Sequence, residues 1–203
     1  MELFVERGYA RTTVGGIAER AGLTERTFFR YFSDKREVLF SGSKELESAI
    51  VGAVKSAPSD AAPLDAVANA MEAAGAALQE HRDFAYVRAR FAIVVEHAEV
   101  RERELIKMAS LAAAVTEALR SRGVVEPEAS LIAEMGVTVF KLGFERWVSS
   151  GKKKPLSLAQ HIRATVDTLK NVAAGGMAAP KIQRAAKLVG ARSGQPHAQA
   201  PKS

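Results

Sequence analysis

Thr13-Val14-Gly15-Gly16-Ile17-Ala18-Glu19-Arg20-Ala21-Gly22-Leu23-Thr24-Glu25-Arg26-Thr27-Phe28-Phe29-Arg30-Tyr31-Phe32 is the stretch on which the fold turns. Val14, Ile17, Ala18 and Ala21 recur at i, i+3, i+4 and i+7, which is one face of a two-turn helix starting behind Thr13. Gly22-Leu23 supplies a tight turn, and Thr24 is a good N-cap for a third helix running to about Phe32. Two short helices joined by a glycine-containing turn describe a helix-turn-helix by geometry.

On the N-terminal side, Glu2 to Arg7 reads as a fragment of a first helix, ended by Gly8, which tolerates the left-handed backbone of a helix stop. Leu3, Phe4, Ile17, Ala18, Leu23, Phe28, Tyr31 and Phe32 are expected to close a small three-helix core. On the C-terminal side, Asp34 and Glu37 have capping-box spacing for one long fourth helix, Lys35 to about Val54, with Leu39, Leu46 and Ile50 inward. Residues 56–63 are rich in Pro, Ser, Asp and Ala, so a head over 1–55 is expected to end there.

Residues 56–174 carry helical periodicity throughout. Leu64, Val67, Ala68, Met71, Gly75 and Leu78 stripe a fifth helix, and Phe84, Val87, Phe91 and Val94 a sixth. A seventh follows on Leu105, Ala109, Ala112, Val115 and Leu119, stopped by Gly123. In the eighth, about 128–150, Glu134, Thr138, Lys141 and Glu145 form one narrow polar stripe, which predicts burial on more than one side, against the body and a partner subunit. Leu158, Ile162, Val166 and Leu169 stripe a ninth over 157–173. No alternating run reads as a strand, so the class is all-α with about nine helices: a three-helix head on a helical-bundle body. Residues 175–203 contain little that could form a core and read as a disordered basic tail, with Ile182 to Leu188 transiently helical.

The 203-residue chain carries a net charge of +6, but its placement removes most of the argument for nucleic acid. Six basic and no acidic residues lie beyond Asp167, and residues 1–55 hold nine Lys or Arg against eight Asp or Glu. The motif, not bulk charge, has to carry a DNA-binding reading. There is no cysteine, which excludes disulfides and thiolate metal sites and points to the cytoplasm. The most apolar segment, Leu131 to Val148, is interrupted by Glu134, Lys141 and Glu145, so no membrane span is expected.

On the outward side of the third helix, Arg26, Phe29 and Arg30 lie at i, i+3 and i+4, beside Glu25. An aromatic ring flanked by two guanidinium groups suits a major groove, where arginine bonds guanine or phosphate and phenylalanine meets sugar or a thymine methyl. The alternative is that Phe29 packs against the fourth helix and the arginines are solvated, and the local pattern does not separate the two.

The run Gly8 to Val14, then Ile17 to Leu23, then Thr27 to Phe32 with Lys35, resembles the TetR-family head in order and spacing over about forty residues. The resemblance implies a cytoplasmic homodimeric repressor that binds double-stranded DNA at a palindromic operator and releases it when the body takes up a small apolar or amphipathic effector. It further implies that Thr13 and Lys35 hold phosphates, that Thr24, Glu25, Arg26 and Phe29 face bases, with Arg30 beside them, and that Tyr31 reaches the backbone. Three departures stand out. Met1 falls inside the first helix, the family's frequent tyrosine is Phe29, and Gly15-Gly16 lowers helix propensity by roughly 1 kcal/mol per glycine. A helical small-molecule-binding dimer with weak DNA affinity is therefore the alternative.

In the body, Arg88 to Phe91, Arg101 to Glu104 and Phe144 to Trp147 resemble an actinobacterial subgroup whose best-known kind senses acyl-CoA. Met71, Phe84, Phe91, Met108, Phe140, Phe144 and Trp147 are candidates for an apolar pocket between helices, each otherwise an ordinary core or interface residue. Self-association is expected through the helices near 128–150 and 157–173. His81, His97, His161 and His197 have no metal-site spacing, and no nucleophile, base and orienting group stand together, so neither cofactor nor enzyme activity is expected. Lys152 to Lys154 before Pro155 suit a helix C-terminus.

Overall fold

Each short helix of the head begins where a side chain replaces a missing backbone partner. The computed structural model describes residues 1–150 and 156–176. Lys152–Lys154, Pro155, Ile182–Leu188, His197 and the tail from residue 177 lie outside the described residues. Helix α1 is Glu2–Arg7, and Gly8 leaves it with φ 80°. Helix α2, Val14–Arg20, starts at Thr13, whose hydroxyl accepts from the Gly16 amide at 3.1 Å. Helix α3, Glu25–Tyr31, starts at Thr24, which accepts from the Thr27 amide at 3.2 Å. Both threonines thus satisfy amides that the first helical turn leaves unpaired.

The long fourth helix is instead two. Helix α4 is Lys35–Leu39 and α5 is Ser43–Ser56, separated at Phe40–Gly42, where Gly42 has φ 87°. Two forces break the expected continuation: Phe40 turns into a buried seam, and the Leu39 carbonyl is bonded by Arg90 from outside the helix at 2.8 Å. The capping box is only half present. Asp34 Oδ1 accepts from the Arg36 amide at 2.7 Å, whereas Glu37 reaches across to Arg103 at 2.5 Å and Lys107 at 3.6 Å.

Five longer helices follow: α6 (Pro63–His81), α7 (Phe84–Glu96), α8 (Ala98–Ser121), α9 (Glu128–Ser149) and α10 (Leu158–Ala173). The described residues thus form ten helices and no strand. Helix α9 packs against α6, α7 and α8, and its Ala129, Ala133, Val137, Phe140 and Trp147 are buried together with Val67 and Met71 of α6 and Val115 and Leu119 of α8. Fully burying each larger aliphatic chain contributes about 1.5–3 kcal/mol. Close approach depends on glycine: a Cβ on Gly143 would lie 2.9 Å from the Ile162 Cα and 3.0 Å from its amide nitrogen. The turn between α5 and α6, at the expected head boundary, is pinned by Arg122 bonds to the carbonyls of Ala57 (2.5 Å) and Pro58 (2.8 Å).

Residues 1–169 cluster as one unit, and the described residues from Lys170 on fall outside it. Within that unit, α5 contributes Ile50 and Val54 to the body core, while a second cluster joins Phe4, Tyr9, Leu39 and Phe40 to Ile93, Val94 and Val100. That seam fixes the head against α7 and α8. Two residues expected in the head core lie outside it: Leu23 is 46% and Tyr31 65% exposed. In α8 the inward stripe runs on Leu111, Ala112, Val115, Ala118 and Leu119, while Leu105 and Ala109 are exposed.

Candidate nucleic-acid interface and the cavity behind it

Helix α3 buries Phe28 and turns the opposite side to solvent. Thr24, Glu25, Arg26, Phe29, Arg30 and Tyr31 are all exposed, with Phe29 at 53%. Phe29 touches Phe28 edge-on with centroids 5.5 Å apart, so it is supported without being covered. Arg30 donates to the Tyr31 hydroxyl at 2.8 Å and lies over its ring, 4.8 Å from the centroid. Glu25 is turned toward α2, because a Cβ on Gly15 would stand 2.5 Å from its Oε1. Gly15 therefore leaves room for that carboxylate beside the first turn of α2, where negative charge is favoured.

Thr13 is exposed at the start of α2, so its hydroxyl stands beside the helix N-terminus. Lys35 is placed differently from the other candidates. Its ammonium donates to the carbonyls of Tyr9 (2.8 Å), Ala10 (3.3 Å) and Thr12 (3.0 Å) and lies 4.4 Å from the Tyr9 ring centroid. This locks the α1–α2 corner. The Thr12 hydroxyl, buried, shares its proton between the carbonyls of Gly8 and Leu3. Arg20 adds an outer brace to Glu2 and Glu6, and holds the Glu6 carboxyl below the usual carboxylate range.

Behind the head, a cavity of about 660 Å³ opens between α5, α6, α7, α8 and α9, with the α4–α5 joint, Leu39 to Ser43, forming one wall. Phe91, Met108, Phe140 and Phe144 line it, four of the seven residues expected to. Met71 is instead wholly buried in the core. Phe84 and Trp147 stand behind the wall, in edge contact at 5.0 Å, with Trp147 6.1 Å from Phe144. The spacing could not distinguish a wall from its backing, since both lie on the inward faces of α7 and α9. Missed altogether were the polar residues of the lining, notably His81, Arg82, Arg90, Glu104, Lys107 and Glu145. Arg90, Glu104 and Lys107 pair with residues of other helices, so local spacing carries no signal for them. His97 stacks on Tyr9 at 4.6 Å in the seam. Among the described residues no cluster of His, Asp or Glu could hold a metal ion.

Residues 1–41 match the family model described as bacterial regulatory proteins, tetR family. Over these residues the chain is similar to the TetR family. The matched segment contains the whole of α1 to α4, so the similarity covers both the exposed α3 face and the α4 end that meets the cavity. The HTH-type transcriptional regulator TcmR of Streptomyces glaucescens is 38% identical over 73 residues, 36% of this chain and 32% of that protein. The match thus spans about a third of the length of that curated relative. Beyond the head, the likeness is one of fold. FadR of Thermus thermophilus, a TetR-family transcriptional repressor solved in complex with lauroyl-CoA, is 24% identical, with 89% of this chain and 93% of that chain covered at a TM-score of 0.54. A putative TetR-family transcriptional regulator from Mesorhizobium loti is 18% identical, with 84% and 91% covered and a TM-score of 0.53.

Proposed function

We propose that this chain is a cytoplasmic, sequence-specific DNA-binding repressor of the TetR family that acts as a homodimer on a palindromic operator and is released by a small apolar or amphipathic effector. The observation that carries the reading is the α3 face, where Arg26, Phe29 and Arg30 stand exposed on a helix whose other side is locked into the head. Thr13, Thr24 and Glu25 flank it at the helix starts, with Tyr31 at its end. Lys35 contributes by fixing the corner that presents Thr13, through its three carbonyl bonds. The same face has no evident use in water, since an exposed phenylalanine between two arginines gains nothing from solvent.

The two copies meet through α9 and α10 in this account. Leu131 and Leu142 of α9 are exposed alongside Glu134, Thr138 and Lys141, which leaves an apolar margin on an otherwise packed helix for the partner to cover. Two heads held about 34–36 Å apart would meet successive major grooves. The effector enters the cavity lined by Phe91, Met108, Phe140 and Phe144, with Met71, Phe84 and Trp147 as its backing. An occupant there touches the α4–α5 joint, and it releases DNA provided that it binds the released arrangement more tightly than the DNA-bound one. The fold shared with the lauroyl-CoA-bound FadR supports an acyl chain as the kind of occupant. No enzyme activity enters this reading.

Footprinting on DNA from around the chain's own gene tests it. The expected result is a protected stretch with two inverted half-sites about one helical turn apart or a multiple of it. Protection without any repeated half-site, or none at all, contradicts the reading and favours a helical ligand-binding dimer.

A further inference from the structure

The cavity lining holds five cations, Arg82, Arg90, Arg101, Lys107 and Lys141, against three acids, Glu45, Glu104 and Glu145. The cations are not equivalent. Arg82 lies over the Tyr86 ring at 5.1 Å, Arg101 makes a long bond of 3.4 Å to the Val95 carbonyl, and Lys107 is drawn toward Glu37 at 3.6 Å. Arg90 joins the cavity to the head. Its Nε donates to the Leu39 carbonyl at the end of α4 (2.8 Å), its Nη2 to Glu104 (2.6 Å), and its guanidinium lies 5.1 Å from the centroid of Phe40. Both members of the ion pair are largely enclosed, at 19% and 23% side-chain exposure. A guanidinium has five N–H donors, and these two bonds leave the Nη1 edge without a protein acceptor. No sealed side-chain nitrogen among the described residues lacks a partner, so that edge is accessible from the space Arg90 lines.

Resting on the reading of this cavity as the effector site, we propose that it takes an amphipathic carboxylate whose acid group binds the free edge of Arg90, and that Arg90 is the residue through which occupancy reaches α4. Leu46, Leu78, Phe91, Met108, Phe140 and Phe144 receive the apolar chain. A planar carboxylate matches the Nη1–Nη2 edge of a guanidinium with two parallel bonds. Docked there, it sets a second negative charge beside Glu104 at the same guanidinium, and like charges in an enclosed site repel strongly. The guanidinium shifts toward the incoming acid, and the bond to the Leu39 carbonyl is the contact given up. The end of α4 then loses the group that stops it beside Phe40, and α4 carries the rest of the head. An alcohol of equal chain length fills the same apolar space and leaves Arg90 where it is.

The test is direct binding in the absence of DNA, so that it stands apart from whether the chain binds an operator. Trp147 is the single tryptophan and lies 6.1 Å from the lining ring of Phe144, so its fluorescence reports occupancy by decanoate or decanol. Wild type should bind decanoate about tenfold or more tighter than decanol, the scale of a hydrogen bond to a charged group. Arg90→Gln should abolish the preference while decanol affinity stays unchanged, and Glu104→Gln should tighten decanoate binding by removing the competing carboxylate. Circular dichroism checks that the variants are folded, and if Arg90→Gln is not, the Glu104→Gln result decides alone. Equal binding of both amphiphiles by wild type, a preference retained in Arg90→Gln, or weaker decanoate binding in Glu104→Gln overturns the proposal. So does no binding of either compound, which leaves the DNA-binding reading untouched.

Discussion

Arg26 and Tyr9 stand at opposite ends of the head's chemistry. Arg26 is exposed and makes no side-chain hydrogen bond or ion pair among the described residues, so removing it should leave the fold intact and act on DNA alone. In the account above, Arg26→Ala weakens specific binding by about 1–3 kcal/mol and relaxes discrimination at one operator position, read by comparing affinities for single-base operator variants. Tyr9 is buried in the seam, and burial, with the charge of Glu99, pushes its phenol up to about 12. A raised pKa means that the contribution to stability is full below the unfolded value near 10 and is lost as pH rises through 12. Thermal stability should therefore fall over that window in wild type, and the Tyr9→Phe variant should lose less. At this scale the caps Thr13 and Thr24 were legible, because each bonds an amide three residues away. Lys35 was not, because its acceptors lie 23 to 26 residues back along the chain.

At the scale of elements, eight of the ten helices follow from apolar spacing and capping, and the other two, α4 and α5, expected as one, are informative. Periodicity runs unbroken through residues 35–54, yet the chain bends at Phe40–Gly42, since a buried ring and an external donor from α7 outweigh local helix propensity. Gly42 at φ 87° makes the bend inexpensive, so Gly42→Ala should destabilise the protein by about 1–2 kcal/mol, seen as a melting temperature lower by roughly 2–8 °C. The α4–α8 tie also has a pH signature. Arg103, hydrogen-bonded to Glu37 and aided by Lys107, holds the Glu37 carboxyl below the usual carboxylate range. A depressed pKa contributes stability above the unfolded value and loses it as pH falls through the folded one. Acid should thus loosen α4 in wild type and less so in Glu37→Gln, measurable by amide hydrogen exchange of α4. In the body, Gly143→Ala forces a methyl against the α10 backbone at Ile162 and should cost about 1–3 kcal/mol in a denaturant titration.

For the whole molecule, the sequence made the all-helical class and the exposed face of α3 readable, because both depend on residues close together in the chain. The cavity was half readable. Its aromatic wall follows from helix faces, but the charged residues that join it to α4 meet only after α7 and α8 have packed against the head. In the function proposed above, that packing is what would link effector to operator: Phe4, Tyr9, Leu39 and Phe40 share a cluster with Ile93, Val94 and Val100. Among the described residues, no helix is long and apolar enough to cross a membrane. The most direct measurement of the central claim is binding of the purified chain to labelled DNA from around its own gene, with excess unrelated competitor, at two salt concentrations. The account predicts a competitor-resistant complex that persists at the higher salt and is weakened in Arg26→Ala, because base contacts carry its specificity. Binding that disappears with competitor or salt, and is the same in wild type and variant, would mean that scattered basic residues hold DNA by charge alone, and would contradict the claim.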